Sequence, residues 1–267
     1  MDSINKTLYI PLYGKALVSK KGIILSDKKA EQIWDTEGFP LKSKSRSRWL
    51  AYFLAMRAAV FDEWTKEKMA EDSNAIILNI GCGLDSRVLR VGTNVHLWYD
   101  IDLGSVIELR RRYYTEDECY RMLVGDIRDS KWLKDIPHNR NAVIVMEGIS
   151  MYIKNDELKM FMNIVSKHFP CVCILMDCYT EKGAKATKVK NPINTVGVTV
   201  TYGIDDPGVL EKDNGFSFVG ERDMTPANLI DELKGFERIV FKRLYGGKIS
   251  KSFYRMYEYK KVSAYGC

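Results

Sequence analysis

The sequence predicts an α/β fold: a mostly parallel sheet with helices on both faces, a helical cap before it and an antiparallel pair of strands at its end. Three observations carry this. From residue 75 onward, apolar runs of strand length alternate with helical segments. The first run, Ala75-Ile76-Ile77-Leu78-Asn79-Ile80, leads into Gly81-Cys82-Gly83, a strand–loop–helix join where backbone can meet a nucleotide-type ligand. Acidic residues then follow each of the first four strand-like runs.

Length and composition allow one large domain, or a core with a cap. Apolar residues at 46% and charged residues at 28% suit a folded core rather than a disordered chain. No uncharged apolar stretch approaches the roughly 18 residues that cross a membrane. Met1-Asp2-Ser3-Ile4-Asn5-Lys6 lacks the basic-then-apolar order of a signal peptide, so a cytoplasmic location is expected. The cysteines form no Cys-x-x-Cys pair, and His96, His138 and His168 are scattered. Neither a zinc site nor a disulfide scaffold is expected, and Cys82 reads as a small loop filler. The net charge of +6 includes a cluster at Lys42-Ser43-Lys44-Ser45-Arg46-Ser47-Arg48. With no nucleic-acid-binding motif beside it, this reads as solvated charge or attraction for an anionic substrate.

Residues 1–74 read as helical. Trp49, Phe53, Met56, Val60 and Trp64 recur at helical spacing and predict an amphipathic helix over about residues 46–68. Arg57 lies four residues from both Phe53 and Phe61, on or beside the apolar stripe. A guanidinium there needs an anionic partner, either a core carboxylate or the carboxylate of a ligand. Strands are expected at Ala75–Ile80, Val95–Ile101, Arg121–Val124, Ala142–Met146 and Cys171–Met176. Helical segments are expected at Arg87–Val91, Ser105–Tyr114, Ser130–Asp135 and Asp156–His168. Residues 180–229 break the alternation, with Lys182, Lys185, Lys188 and Lys190 and the turn Asp205-Asp206-Pro207-Gly208, and read as an insertion over the sheet's mouth. Phe236–Tyr245 and Phe253–Ala264, joined around Gly246-Gly247, are expected to form the antiparallel pair.

The glycine loop narrows the ligand. Ser86 replaces the third glycine of the dinucleotide fingerprint, and Asp85 sets a carboxylate where a pyrophosphate would sit. S-adenosylmethionine keeps the adenosine but carries a sulfonium and an ammonium instead of phosphates, so it suits the loop. Asp100 and Asp102, two apart at the end of the second strand, share one side. Either can accept from ribose hydroxyls, or merely cap the helix near Ser105. Asp126 after the third strand can accept from adenine's amine while Ile127 covers a ring face, although turn chemistry also tolerates Asp there. Glu147 ends the fourth run and needs a cation or donors, from the ligand's ammonium or from a local Lys or Arg. Together these acids are expected to favour a cationic adenosyl ligand electrostatically.

Three motifs make the chain resemble the leucine carboxyl methyltransferase family, which includes bacterial polyketide O-methyltransferases. Asn79-Ile80-Gly81-Cys82-Gly83-Leu84-Asp85-Ser86-Arg87 is similar to its glycine-loop signature. Asp100-Ile101-Asp102 resembles its acidic element, and Glu147-Gly148-Ile149-Ser150-Met151-Tyr152 its Glu-to-Tyr segment. The resemblance spans about residues 50–178. It implies a Rossmann-like, seven-stranded class I methyltransferase sheet binding S-adenosylmethionine. It also implies that Arg57 holds the cofactor's carboxylate, that Gly81 and Gly83 meet its methionine part, and that Asp102 rather than Asp100 binds the ribose. By the same resemblance Asp126 and Ile127 meet the adenine, Glu147 lies near the amino-acid portion, and Lys15 reaches the cofactor across an alignment gap. Gly104 stands where the family usually has proline. The cap at 1–74 and the segment 180–229 would then form the acceptor pocket, with the core spanning 75–267.

The expected activity is O-methylation of a small organic or polyketide-like acceptor. A carboxylate is already ionised near neutral pH and needs no general base, whereas an alcohol would usually need one. No histidine stands in a motif at the mouth, which favours a carboxylate or an acidic phenol. Tyr152 is the motif residue expected on the acceptor side, although a packed tyrosine with one hydrogen bond is as consistent with its place. Methylation of a protein C-terminus, and a non-catalytic nucleoside-binding role, are the competing readings. No nucleic acid or membrane partner is expected.

Overall fold

Seven strands build one sheet in the order β3-β2-β1-β4-β5-β7-β6 in the computed structural model, which describes residues 7–38, 41, 43–187 and 200–262. The strands are β1 (Ile76–Ile80), β2 (Leu97–Asp102), β3 (Tyr120–Val124), β4 (Ala142–Met146), β5 (Val172–Tyr179), β6 (Phe216–Arg222) and β7 (Tyr254–Lys261). The first five pair in parallel, and β7 runs antiparallel between β5 and β6. β1 and β4 lie inside the sheet, covered on both faces, so every residue of Ile76–Ile80 and Ala142–Met146 is buried.

Alternation along the strands splits the core in two. Ile77, Val143 and Val145 pack with Trp98, Phe61 and Trp64 on one face. Ile76, Leu78 and Ile144 pack with Leu158, Phe161 and Val165 on the other. The first face is covered by α1 (Tyr9–Lys21), α2 (Lys28–Glu37), α3 (Arg48–Glu71), α4 (Arg87–Val91) and α5 (Gly104–Arg110). The second face carries α6 (Asn155–His168). The apolar spacing expected over residues 46–68 therefore forms α3, with Phe61 and Trp64 fully buried.

The end of the chain departs from expectation. Phe236–Tyr245 is not a strand: it lies within α9 (Gly235–Tyr245), which follows α7 (Glu181–Thr187) and α8 (Ala227–Asp231) and precedes α10 (Lys248–Lys251). The antiparallel partner of β7 is β6, inside the segment expected to be an insertion. Phe216-Ser217-Phe218-Val219 alternates buried and exposed positions as an edge strand should. Short apolar runs such as Phe236–Tyr245 fit either period, and only neighbours decide. Because β6 runs parallel to β5 through the antiparallel β7, the β6–β7 connection emerges where the parallel strands end. Helices α8, α9 and α10 therefore cap the sheet's mouth.

Residues 1–6, Lys42, Lys188, Lys190 and Ala264, named above, lie outside the described residues. Cys82, Cys119, Cys173 and Cys178 are free thiols, while Cys171 is disulfide-bonded. Among the described residues no helix is long and apolar enough to cross a membrane, and no cluster of His, Cys, Asp and Glu could hold a metal ion.

Candidate active site

The loop after β1 turns back under two constraints. Gly81 has φ 68°, and a Cβ there would lie 2.2 Å from Ile149 Cγ2. Gly83 has φ 52°, and a Cβ would lie 2.9 Å from Leu8 Cδ2, just before α1. Glycine alone meets both demands, conformation and space. The loop thereby forms the floor of a cavity of about 450 Å³, within the usual range for small-molecule sites of roughly 300–1,000 Å³. Its walls come from α1, α3, the ends of β1, β2, β4 and β5, and the cap between β6 and β7. Leu8, Phe53, Leu54, Tyr245 and Phe253 give it a largely apolar side.

Lys15, Arg57, Gly81, Gly83, Asp85, Asp102, Glu147 and Tyr152 all line this cavity. Asp126 and Ile127 are not among its described lining. Asp126 accepts from Arg128 Nε (2.9 Å) and from the Arg128 N–H (3.0 Å), so turn chemistry occupies it. Its neighbour Gly125 donates to the Asp102 carbonyl (2.9 Å), which holds the end of β3 beside that of β2.

The two aspartates on β2 have separate roles. Asp100 is fully buried and accepts from Asn79 Nδ2 (2.8 Å), Trp98 Nε1 (3.0 Å), Arg110 and Tyr120 Oη. It is a core residue. Asp102 takes the Gly83 N–H (2.8 Å) on one oxygen and the Leu103 N–H (2.8 Å) on the other. Its carboxylate keeps further lone pairs, and burial raises its pKa despite those two donors.

The acids flanking the loop are neutralised by the chain's own cations, which corrects the expected acidic field. Asp85 Oδ1 accepts from Lys15 Nζ (2.7 Å) and Arg90 Nη1 (2.8 Å), and Arg87 Nη1 lies 3.2 Å from Oδ2. Burial works to raise its pKa, but Arg90, Lys15 and Arg87 outweigh it and hold the group well below the usual carboxylate range. Glu147 is likewise lowered against burial, chiefly by Arg57 and Arg87. Arg57 Nε donates to Glu147 Oε1 (3.1 Å), and Arg87 Nη2 donates to Oε2. Asp85 Oδ2 accepts no hydrogen bond, and its partner is the Arg87 guanidinium alone.

Several site residues escaped the sequence reading. Arg57 Nη1 donates to Asp177 Oδ2 (2.8 Å) and to Tyr254 Oη (2.7 Å), while the Gly148 N–H donates to Asp177 Oδ1 (2.6 Å). Burial raises the pKa of Asp177 even beside Arg57. Asp177 is the acid near the end of β5, so the pattern of acids after strands extends to it. Arg87 stood inside the glycine-loop motif without a role. It bonds Asp62 (2.8 Å), and Arg90 joins Asp62 (2.6 Å) to Asp27 (2.7 Å), tying α3 and the start of α2 to the loop. Burial raises the phenol of Tyr152 and the thiol of Cys82, so both stay protonated near neutral pH. His96 bonds the Asp72 carbonyl (3.0 Å) and His168 the Ile136 carbonyl (3.0 Å), and none of the three histidines lines the cavity.

These features fit an adenosyl ligand. The glycine loop offers bare backbone, Asp102 has acceptor capacity beside it, and Arg57 lines the same cavity.

Comparison with known proteins gives the same direction. The leucine carboxyl methyltransferase family profile matches residues 4–165. The tetracenomycin polyketide synthesis O-methyltransferase TcmP of Streptomyces glaucescens is 29% identical over 216 residues, covering 79% of each chain. The S-adenosyl-L-methionine-dependent methyltransferase dpfgK of Gibberella zeae is 27% identical over 234 residues, covering 79% of this chain and 78% of its own. In fold, the chain matches the crystal structure of a candidate methyltransferase from Thermobifida fusca YX with TM-score 0.61 at 14% identity, over 96% of this chain and 94% of that one. A glycine-loop sheet with this strand order, carrying this profile over most of its length, belongs to the leucine carboxyl methyltransferase family.

Proposed function

We propose that the protein is an S-adenosylmethionine-dependent O-methyltransferase whose acceptor is a small, largely apolar carboxylic acid or acidic phenol. The observation that carries this is one cavity joining the glycine loop, Asp102 and Asp85 to an apolar wall without a histidine. S-adenosylmethionine supplies an electrophilic methyl group on a sulfonium.

The chain's own residues bind, align and exclude water. Asp102 accepts from ribose hydroxyls, held in place by the Gly83 and Leu103 N–H groups. Asp85 lines the same cavity and draws the ammonium electrostatically. Arg57 has used most of its donors on Glu147, Asp177 and Tyr254, so it serves mainly as the post that orients these acids. Arg57 still lines the cavity, where its guanidinium meets the cofactor's carboxylate. Asp126 and Ile127 approach the adenine from the end of β3. Helix α1 and the residues around Leu8 form part of the acceptor pocket, in keeping with a cap at residues 1–74 on a core at 75–267.

On the acceptor side Tyr152, kept protonated by burial, donates a hydrogen bond and positions the acceptor oxygen rather than deprotonating it. An acceptor already ionised near neutral pH matches a cavity with no histidine in its wall. A methyl-transfer assay over a panel of carboxylic acids, phenols and aliphatic alcohols tests the reading. Turnover is expected with acids or acidic phenols that carry an apolar body. Turnover confined to aliphatic alcohols would contradict it.

A further inference from the structure

We propose that the outer face of α9 and α10, at the mouth of the cavity, docks on an anionic lipid surface. Phe236, Ile239, Val240 and Leu244 fall on one stripe of α9 at i, i+3, i+4 and i+8. Such a stripe ordinarily faces a core. Here the buried residue of α9 is Phe241, while Phe236 is 75%, Ile239 65% and Leu244 52% exposed, and Ile249 on α10 is 64% exposed. Other exposed large apolar residues lie on helices, strands and loops elsewhere in the chain, whereas these four share one short cap.

Charge selects the occupant. Residues 234–251 hold six cations, Lys234, Arg238, Lys242, Arg243, Lys248 and Lys251, against one anion, Glu237. That stretch therefore accounts for five of the chain's six net positive charges. Glu237 is itself bonded to Arg48 (2.7 Å) and Tyr52 (2.7 Å). Arg238 and Lys251 stand 3.9 Å and 3.4 Å from Asp231 and Asp223. Lys234, Lys242, Arg243 and Lys248 make no ion pair among the described residues.

A second copy seated here by two-fold symmetry would set this charge against itself. An anionic bilayer answers both features: the headgroups meet the lysines and arginines, and the apolar stripe enters the acyl boundary. Such docking needs no membrane-spanning helix, and it departs from the expectation that membranes play no part. Leu244 and Ile249 also line the cavity, so the docked face opens a dry route from lipid to the site. The route's use by an apolar acceptor rests on the proposed methyl transfer; the docking does not.

The test is sedimentation of the full chain with vesicles of phosphatidylcholine alone and of phosphatidylcholine mixed with phosphatidylserine, with S-adenosylhomocysteine titrated in parallel. The wild type is expected to pellet with the mixed vesicles, less so at high salt, and weakly with phosphatidylcholine. Replacing both Lys242→Gln and Arg243→Gln should weaken that partition about 30-fold. Phe236→Ser with Ile239→Ser should weaken it about tenfold or more. Neither pair should change the affinity for S-adenosylhomocysteine. A wild type left in the supernatant with both vesicle types overturns the proposal, as does unchanged partition of the variants. Vesicle binding without any S-adenosylhomocysteine binding would instead defeat the methyltransferase reading and leave the docking intact.

Discussion

Arg57 Nη1 lies 2.8 Å from Asp177 Oδ2, which joins the middle of α3 to the end of β5 beneath the cavity. Both side chains are buried, and the same guanidinium reaches Glu147 Oε1 at 2.9 Å. Removing the cation would leave buried Asp177 without a charged partner and Glu147 with Arg87 alone. Breaking a buried pair from one side typically costs about 3–5 kcal/mol. Arg57→Met is therefore expected to lower the melting temperature markedly as well as weaken S-adenosylhomocysteine binding. Thermal melts with and without that ligand check this, and a variant as stable as the wild type would contradict it.

Asp102 makes no ion pair among the described residues, so its removal should spare the fold. Asp102→Ala is expected to weaken S-adenosylhomocysteine binding about 10- to 100-fold, the range for hydrogen bonds to a charged group. Calorimetric titration measures it. Asp100→Ala should behave in the opposite way, because that carboxylate holds Arg110, Tyr120, Trp98 and Asn79 in the core. The expected result is a large stability loss of about 3 kcal/mol or more.

Gly81→Ala adds a Cβ 2.2 Å from Ile149 Cγ2 at a φ of 68°. Destabilisation by more than about 1 kcal/mol is expected from overpacking and strain combined. Adding Ile149→Ala should recover the steric part only. Full recovery in chemical denaturation would show that the backbone conformation contributes nothing.

Acid should loosen the site from its glycine-loop side. Asp85 and Glu147 have pKa values lowered in the fold, so their contribution to stability is present above the unfolded pKa near 4 and fades as pH falls through the folded values. Asp177 and Asp102 are raised, so their protonation works in the other direction: the stability they contribute at low pH is lost as pH rises through their folded pKa. Melting temperature should fall below about pH 4, and Glu147→Gln should flatten that limb. A limb of unchanged slope in the variant would exclude Glu147 as a contributor.

Tyr152→Phe should keep cofactor affinity and lower kcat/KM about tenfold, with the shape of the pH–rate profile unchanged. A lost basic limb would mean that the phenolate takes part.

Much of the site was legible because strand-end chemistry is local. The glycine loop, Asp102 and Glu147 follow apolar runs whose period and burial leave little choice of place. Arg57 was readable as a buried guanidinium from its distance to Phe53 and Phe61, but its partners were not. Asp177 and Tyr254 lie 120 and 197 residues away in sequence, and only the sheet order β4-β5-β7 brings them together. The same non-local pairing explains the acids: Lys15, Arg87 and Arg90 converge on Asp85 from two helices, so a count of carboxylates alone overstated the negative field. At the chain's end, Phe236–Tyr245 has apolar residues that serve a strand or a helix equally well. Its exposed stripe became visible only once β6 had taken the place beside β7.

The most direct test of the central claim is calorimetric titration of the purified chain with S-adenosylhomocysteine and, separately, with NAD. Saturable one-site binding of the homocysteine nucleoside, lost on Asp102→Ala, is the predicted result. Heat from NAD with none from S-adenosylhomocysteine would contradict it.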